Sequence, residues 1–346
     1  MSRTSGTPIL VSSSNHEPTA IALIVALLFV QAQPAFAYLH FGMPVNGQTV
    51  TLRWSATPRY YVNAQSAVPG VTNADFQTTV ARAFATWDAV PTANISYQFA
   101  GTTSAQPGED DGISVLGFRM RPDLDRVLAS TDFVVDDSTG QLIESDVFFN
   151  ASFAWSIAPN GESGKYDLQS IALHEIGHFS GLGHSALGET ELHDGGGRTV
   201  ISAEAVMFPI AFTAGSIAAR TLKADDIAGI TDLYPTGDAA AFGSISGHVD
   251  KSGTPLYGAH VVAIDAATGQ MVGGFTLDSR GDFSIGGLSP GPHLLRIEPL
   301  DDADIDSFFT NTAAVDVNFQ IVFFTRVVVV PGGGDSGVLT ISVVPK

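Results

Sequence analysis

Residues 174–184 read His-Glu-Ile-Gly-His-Phe-Ser-Gly-Leu-Gly-His, and no other stretch restricts the architecture of this chain so tightly. His174 and His178 are four residues apart. On a helix that spacing puts both imidazoles on one face, where they can share a metal ion. Leu168, Ala172, Ile176 and Phe179 make the opposite stripe, which predicts a helix buried against a core. Glu175 follows the first histidine, so its carboxylate reaches a water held by the metal and not the metal itself, the place for a general base. Gly181 comes three residues after His178. Glycine takes positive φ without steric cost, so the helix can stop there and turn. The turn returns His184 as a third nitrogen ligand. Three protein ligands leave a fourth position for water, the mark of a catalytic zinc site as distinct from a closed structural one. Zinc there would lower the pKa of such a water toward about 7 and polarise a scissile carbonyl, and Glu175 would accept the proton and pass it to the leaving amine.

The chain has 346 residues, room for two ordinary domains, and its 45% hydrophobic and 15% charged composition describes a well-cored globular protein. The net charge of −19 excludes nucleic acid as a partner, because no basic surface is available to neutralise phosphates. There is no cysteine, which removes disulfides, thiolate metal sites and cysteine nucleophiles together.

Export is read from the N-terminal residues. Residues 1–19 are polar, an apolar run extends from Ala20 to Val30, and Ala35-Phe36-Ala37 supplies a small-x-small cleavage pattern. The run is well short of the about 20 helical residues that span a bilayer. The expectation is a signal peptide over 1–37, cleavage before Tyr38 and no stable membrane insertion afterwards. The destination is secreted or extracellular, with the periplasm and the cell surface as alternatives.

Behind that segment two patterns alternate. Val50–Trp54 and Tyr60–Val62 read as a pair of strands. Phe76, Val80, Phe84 and Trp87 predict a helix over 74–90 with Asn73 as N-cap. Strands follow at 95–99, 113–118, 127–135 and 142–150, then helices at 168–179, capped by Asp167, and from Ala224 to before Pro235. Strands between helices in this order predict a mixed sheet with helices packed on it. From about residue 243 no helical pattern remains. Gly, Asp and Ser turns separate alternating strands such as Ser244–Val249, Ala259–Ile264 and Leu294–Ile297, and the Val- and Phe-rich run around 319–330 reads as a further strand. A small β-sandwich is expected there.

The zinc string followed by Ser185, together with Ala205-Val206-Met207-Phe208-Pro209, resembles a metzincin metallopeptidase and is most similar to the matrixins, the matrix-metalloprotease-like family. The resemblance extends over Ala83–Val90, similar to the first matrixin helix, and over Leu222–Ile230 through Tyr234, similar to the closing helix. It implies an α+β metzincin catalytic domain over 38–236, with a mixed twisted sheet, long helices and the zinc site on the active-site helix. It also implies that Met207 forms the Met-turn, packing beneath His174, His178 and His184 without ligating. Val127–Val135 would correspond to the strand that pairs with extended substrate, a structural strand being the equal alternative. Ile245–Val249, Gly258–Val261, Gly281–Phe283 and Gly287–Gly291 resemble the carboxypeptidase regulatory-like fold, an all-β sandwich over 243–346.

The departures are as specific. Without cysteine, the thiolate latency of many matrixins has no counterpart. No histidine lies between His40 and His174, so the family's second, structural zinc has no imidazole ligands. Between His184 and Met207 lie 22 residues, including His193 and Gly195-Gly196-Gly197, where matrixins are shorter. Asp302, Asp304 and Asp306 alternate as calcium ligands can, but Ser307 and Ala313 break the EF-hand pattern. Calcium stays open without a motif, and a solvated acidic loop is expected.

The resulting expectation is a secreted zinc endopeptidase with one catalytic Zn²⁺ on His174, His178 and His184, Glu175 as general base, and a protein or peptide substrate. The alternative is a surface-binding or adhesion protein with a vestigial metallopeptidase domain. The oligomeric state is open.

Overall fold

The computed structural model describes residues 2–5, 40–46, 48–194, 197–277 and 279–346. The expected signal segment lies outside the described residues except for Ser2–Ser5, as do Gly195 and Gly196 of the glycine run. An α+β domain is followed by a β-sandwich.

In chain order β1 (Ser2–Ser5), from the expected signal segment, precedes the first domain, which comprises β2 (Gly42–Val45), β3 (Gln48–Thr51), β4 (Arg59–Asn63), α1 (Asn73–Asp88), β5 (Gln98–Thr103), β6 (Ser114–Arg119), β7 (Ala129–Val135) and β8 (Leu142–Asn150). Two short strands, β9 (Trp155–Ser156) and β10 (Tyr166–Asp167), lead into α2 (Leu168–Phe179), the hairpin β11 (Gly188–Leu192) and β12 (Arg198–Ala203), and α3 (Ala224–Leu233). The main sheet has the order β1-β7-β8-β6-β4-β5. Strands β5, β4, β6 and β8 are mutually parallel and β7 runs antiparallel to β8, so the sheet is mixed as expected. The outer edge of β7, a candidate for pairing with extended substrate, is paired antiparallel with β1, from Ser2 opposite Val135 to Ser5 opposite Asp132.

Two local expectations in this domain are corrected. Val50–Trp54 does not pair with Tyr60–Val62: β3 pairs with β2, and β4 enters the main sheet beside β5 and β6. Parallel neighbours need a crossover, and α1 supplies it between β4 and β5, so both sides of β4 are already taken. The N-cap of α1 is Thr72, not Asn73. Thr72 Oγ1 accepts from Asp75 N at 3.2 Å, and Asp75 Oδ2 accepts from Thr72 N at 3.1 Å, a reciprocal capping box. The Asn73 amide instead donates to Ala64 O at 2.8 Å, tying the helix start to the end of β4. Phe76, Val80, Phe84 and Trp87 are buried as their spacing predicts. Trp87 Nε1 donates to Leu173 O at 2.8 Å, fixing α1 against α2.

The second domain contains β13 (Gly243–Lys251), β14 (Thr254–Pro255), β15 (His260–Asp265), β16 (Met271–Phe275), β17 (Asp282–Leu288), β18 (Gly291–Glu298), β19 (Val322–Phe323), β20 (Val328–Val330) and β21 (Leu339–Val343). One sheet joins β14, β13, β17 and β21; the other joins β16, β15, β18, β19 and β20. Inward residues at period two, among them Ile245, Val249, Phe283, Ile285, Val261, Leu295 and Ile297, form one core between the sheets. The run around 319–330 is not one strand. It divides into β19 and β20, which pair with opposite ends of β18, and Arg326, in the break, lies over the Phe324 ring at 5.5 Å.

The two domains share hydrophobic clusters. Leu187 and Ala205 pack with Val262, Ala186 with Phe275, Leu300 and Phe309, and Val200, Phe208 and Ile210 with Ala303. Asp225, in the first turn of α3, accepts from Gly273 N of β16 at 2.8 Å. No described helix is long and apolar enough to cross a membrane.

Candidate metal centre

The helix that carries the motif is fixed at both ends. Asp167 is its N-cap, accepting from Ser170 N at 2.9 Å, and Arg220 grips the same carboxylate through Nε at 2.9 Å and Nη2 at 2.5 Å. At the other end Gly181 has φ +103°, and a Cβ there would lie 2.5 Å from Leu52 O. Only glycine fits that turn without strain. The reversal brings His184 back so that its Nε2 is 3.1 Å from His178 Nε2, which is 3.0 Å from His174 Nε2.

Tautomers follow from the other ring nitrogens. His174 Nδ1 lies 2.7 Å from Val206 O, His178 Nδ1 2.7 Å from Leu182 O, and His184 Nδ1 2.9 Å from Ser307 O. A carbonyl can only accept, so each Nδ1 carries the proton of a neutral ring and each Nε2 presents a lone pair. Burial holds the rings uncharged: His184 is lowered to about 4, and His174 and His178 fall well below the ordinary imidazole value, with repulsion between neighbouring rings adding to the effect. Three lone pairs therefore converge with no hydrogen between them, an arrangement that a cation resolves. Tetrahedral zinc with nitrogens at 2.0–2.1 Å requires N···N edges of about 3.3 Å, close to those observed. The three rings could hold a metal, and theirs is the one such cluster of three or more among the described residues.

Glu175 lies on the same helix and is fully buried. Thr131 Oγ1, from β7, donates to Glu175 Oε2 at 2.5 Å, whereas Oε1 has no hydrogen-bond partner among the described residues. Burial pushes the carboxyl up to about 8; the Thr131 hydrogen bond opposes the rise and nearby Asp132 adds to it. A buried carboxylate oxygen without a donor is costly unless a water or substrate group occupies it.

Met207 is buried under the helix, against Gly177. The turn that carries it is held by Asp226 of α3. Asp226 Oδ2 accepts from Val206 N at 2.9 Å and Lys223 N at 2.8 Å, and Oδ1 accepts from Met207 N at 3.1 Å. Val206 then uses its carbonyl for His174, so α3 reaches the first histidine through one peptide unit. A small apolar pocket opens beside His174, lined by Ile171, Val206, Phe208, Ile210 and Phe212.

The structure thus brings together all five residues singled out from sequence: His174, Glu175, His178, His184 and Met207. Sequence reasoning missed Thr131, Asp226 and the Ser307 carbonyl. The paired acids in the first turn of α3 were a visible signal for Asp226, but nothing local reveals which N–H groups they serve. His193 is not in the cluster; its Nε2 lies 2.7 Å from Thr199 Oγ1, within the β11–β12 hairpin. The acidic run is only partly solvated, because Asp302 accepts from Thr190 N at 2.7 Å.

A family model described as matrixin matches residues 53–235, and one described as carboxypeptidase regulatory-like domain matches residues 244–320. The chain is similar to Metalloendoproteinase 1 of Glycine max, 29% identical over 198 residues that cover 53% of this chain and 52% of that protein. It is also similar to Metalloendoproteinase 5-MMP of Arabidopsis thaliana, 41% identical over 75 residues, 21% of this chain and 16% of that one. The chain spans about half the length of the first of these curated relatives and less of the second. Among solved structures, the major pilin subunit BcpA of Bacillus cereus aligns at 16% identity over 31% of each chain, with a TM-score of 0.21.

Proposed function

This chain belongs to the matrixin family, and from that premise we propose that it is a secreted zinc-dependent endopeptidase that hydrolyses peptide bonds in extended proteins or peptides. One observation carries the reading. Three imidazoles turn their lone pairs to a common point, each Nδ1 proton engaged by a backbone carbonyl, beside a glutamate with one oxygen unpartnered among the described residues.

His174, His178 and His184 are the metal ligands in this proposal, and Met207 is the Met-turn residue beneath them. Zinc held by three imidazoles would polarise the scissile carbonyl and acidify water. Glu175 takes the proton from the attacking water through Oε1 and delivers it to the leaving amine, while Thr131 holds Oε2 and so sets the plane of the carboxylate. The apolar pocket beside His174 receives a substrate side chain. Residues 1–37 serve as the signal peptide, 38–236 as the peptidase domain and 243–346 as the regulatory-like sandwich.

The test is zinc content and cleavage of a peptide library by the mature chain and by Glu175→Ala. Stoichiometric zinc in both, with cleavage reduced about 10²–10⁴-fold in the variant, is the expected result. Zinc without cleavage in the wild type would leave a binding protein with a vestigial peptidase domain.

A further inference from the structure

We propose that Asp301–Phe309 of the sandwich is a positioning element of the metal centre, fixing the tautomer and tilt of His184, and that the β11–β12 hairpin exists to hold it there. The proposal rests on the reading of the three histidines as metal ligands.

The first two histidines are oriented from within the peptidase domain, through Val206 O and Leu182 O. The third is not. Its Nδ1 partner, Ser307 O, lies 123 residues further along the chain, in the other domain. Without that carbonyl the His184 proton is free to move to Nε2, where it blocks ligation. Carbonyl partners of this kind typically account for about 10–100-fold in metal affinity.

Ser307 is held by its own turn, Ile305–Ser307, in which Ser307 N donates to Asp304 O at 2.9 Å and Phe309 N to Ile305 O at 2.9 Å. The next two side chains anchor that turn on both sides. Phe308 sits with its ring centroid 6.4 Å from that of His184 and packs on the cluster of Val200, Phe208 and Ile210. Phe309 packs with Phe275 and Ala186.

The hairpin lies within the long insertion after His184, and it grips the start of the same segment. Thr190 N donates to Asp302 Oδ1 and Thr190 Oγ1 to Asp302 O, each at 2.7 Å, and Arg198 Nη1 donates to Asp301 O at 2.7 Å. Phe208 and Ile210, on which Phe308 rests, also line the pocket beside His174. The insertion and the sandwich thus form one clamp on the third ligand.

The test uses the full chain and competition for zinc with a chromophoric chelator. Asp302→Ala removes the acceptor for Thr190 N, and Phe308→Ala removes the packing above His184. Each is expected to weaken zinc binding about 10–100-fold, whereas Asp302→Asn and Phe308→Leu keep affinity near the wild type. Unfolding midpoints of the zinc-free proteins identify variants that fold. Should Phe308→Ala not fold, Asp302→Ala and Thr190→Val decide the matter. Folded variants that hold zinc as tightly as the wild type overturn the proposal alone. A wild-type chain that takes up no zinc overturns the metal-centre reading and the proposal with it.

Discussion

Gly177 and Met207 approach so closely that a side chain on the glycine would force the methionine to shift: a Cβ built on Gly177 would overlap Met207 Sδ and sit 3.0 Å from both Met207 Cε and Trp87 Cζ2. The residue lies between the two helical histidines, so the sulfur packs directly on the backbone that spaces them.

Gly177→Ala is therefore expected to destabilise the fold by about 1–3 kcal/mol through overpacking, although alanine is the better helix former. Chemical unfolding measures this. Adding Met207→Ala should recover part of the loss, and a double-mutant cycle with no coupling would contradict the contact.

Thr131→Val removes the hydroxyl that donates to Glu175 Oε2 while keeping the side-chain volume. The expected outcome is a fall in kcat of about 10–100-fold with zinc content unchanged. Thr131→Ser should restore most of the activity. Steady-state kinetics on one peptide, with metal analysis of the same samples, is the check.

Asp226→Ala leaves the N–H groups of Val206, Met207 and Lys223 without their acceptor. An unsatisfied buried donor costs about 1–3 kcal/mol, so the loss should exceed that of an ordinary surface substitution several-fold. Zinc affinity should also fall, because the turn also presents Val206 O to His174. Unfolding curves with and without zinc separate the two effects.

Asp225 predicts a pH dependence. Burial raises its carboxyl to about 7 from an ordinary 3.8, against hydrogen bonds from Ser185 and Gly273 N. Between those values the folded chain keeps a proton that the unfolded chain has released, so rising pH favours unfolding. The stability is fully present below about pH 4 and lost as pH passes through about 7. Asp225→Asn keeps an oxygen for Gly273 N and cannot titrate. The difference in melting temperature between variant and wild type should grow in the variant's favour over that window. A constant difference would show that Asp225 ionises as freely when folded as when unfolded.

Element boundaries followed legibility in the pattern. Asp167 and the helix it caps, strand 142–150 and the period-two strands of the sandwich were readable because cap chemistry and alternation are local signals. The strand pairing before Tyr60 was not, since two adjacent β-prone segments suggest a hairpin until a crossover helix claims one of them. Thr72 and Asn73 are both good caps, and only the position of Ala64 O decided which one turned to the helix and which to the strand.

The sequence by itself determined which groups residues 174–184 offer: three imidazoles, one carboxylate, and a glycine whose turn returns the third imidazole. Those are consequences of spacing along one helix and of the φ that only glycine tolerates. Tertiary structure decided how each ring is held, through Val206 O, Leu182 O and Ser307 O, and that Thr131 and Asp226 serve the site. Backbone carbonyls are the same at every residue, so no sequence pattern marks which of them will face an imidazole. In particular, the dependence of His184 on the sandwich exists only once the two domains are packed.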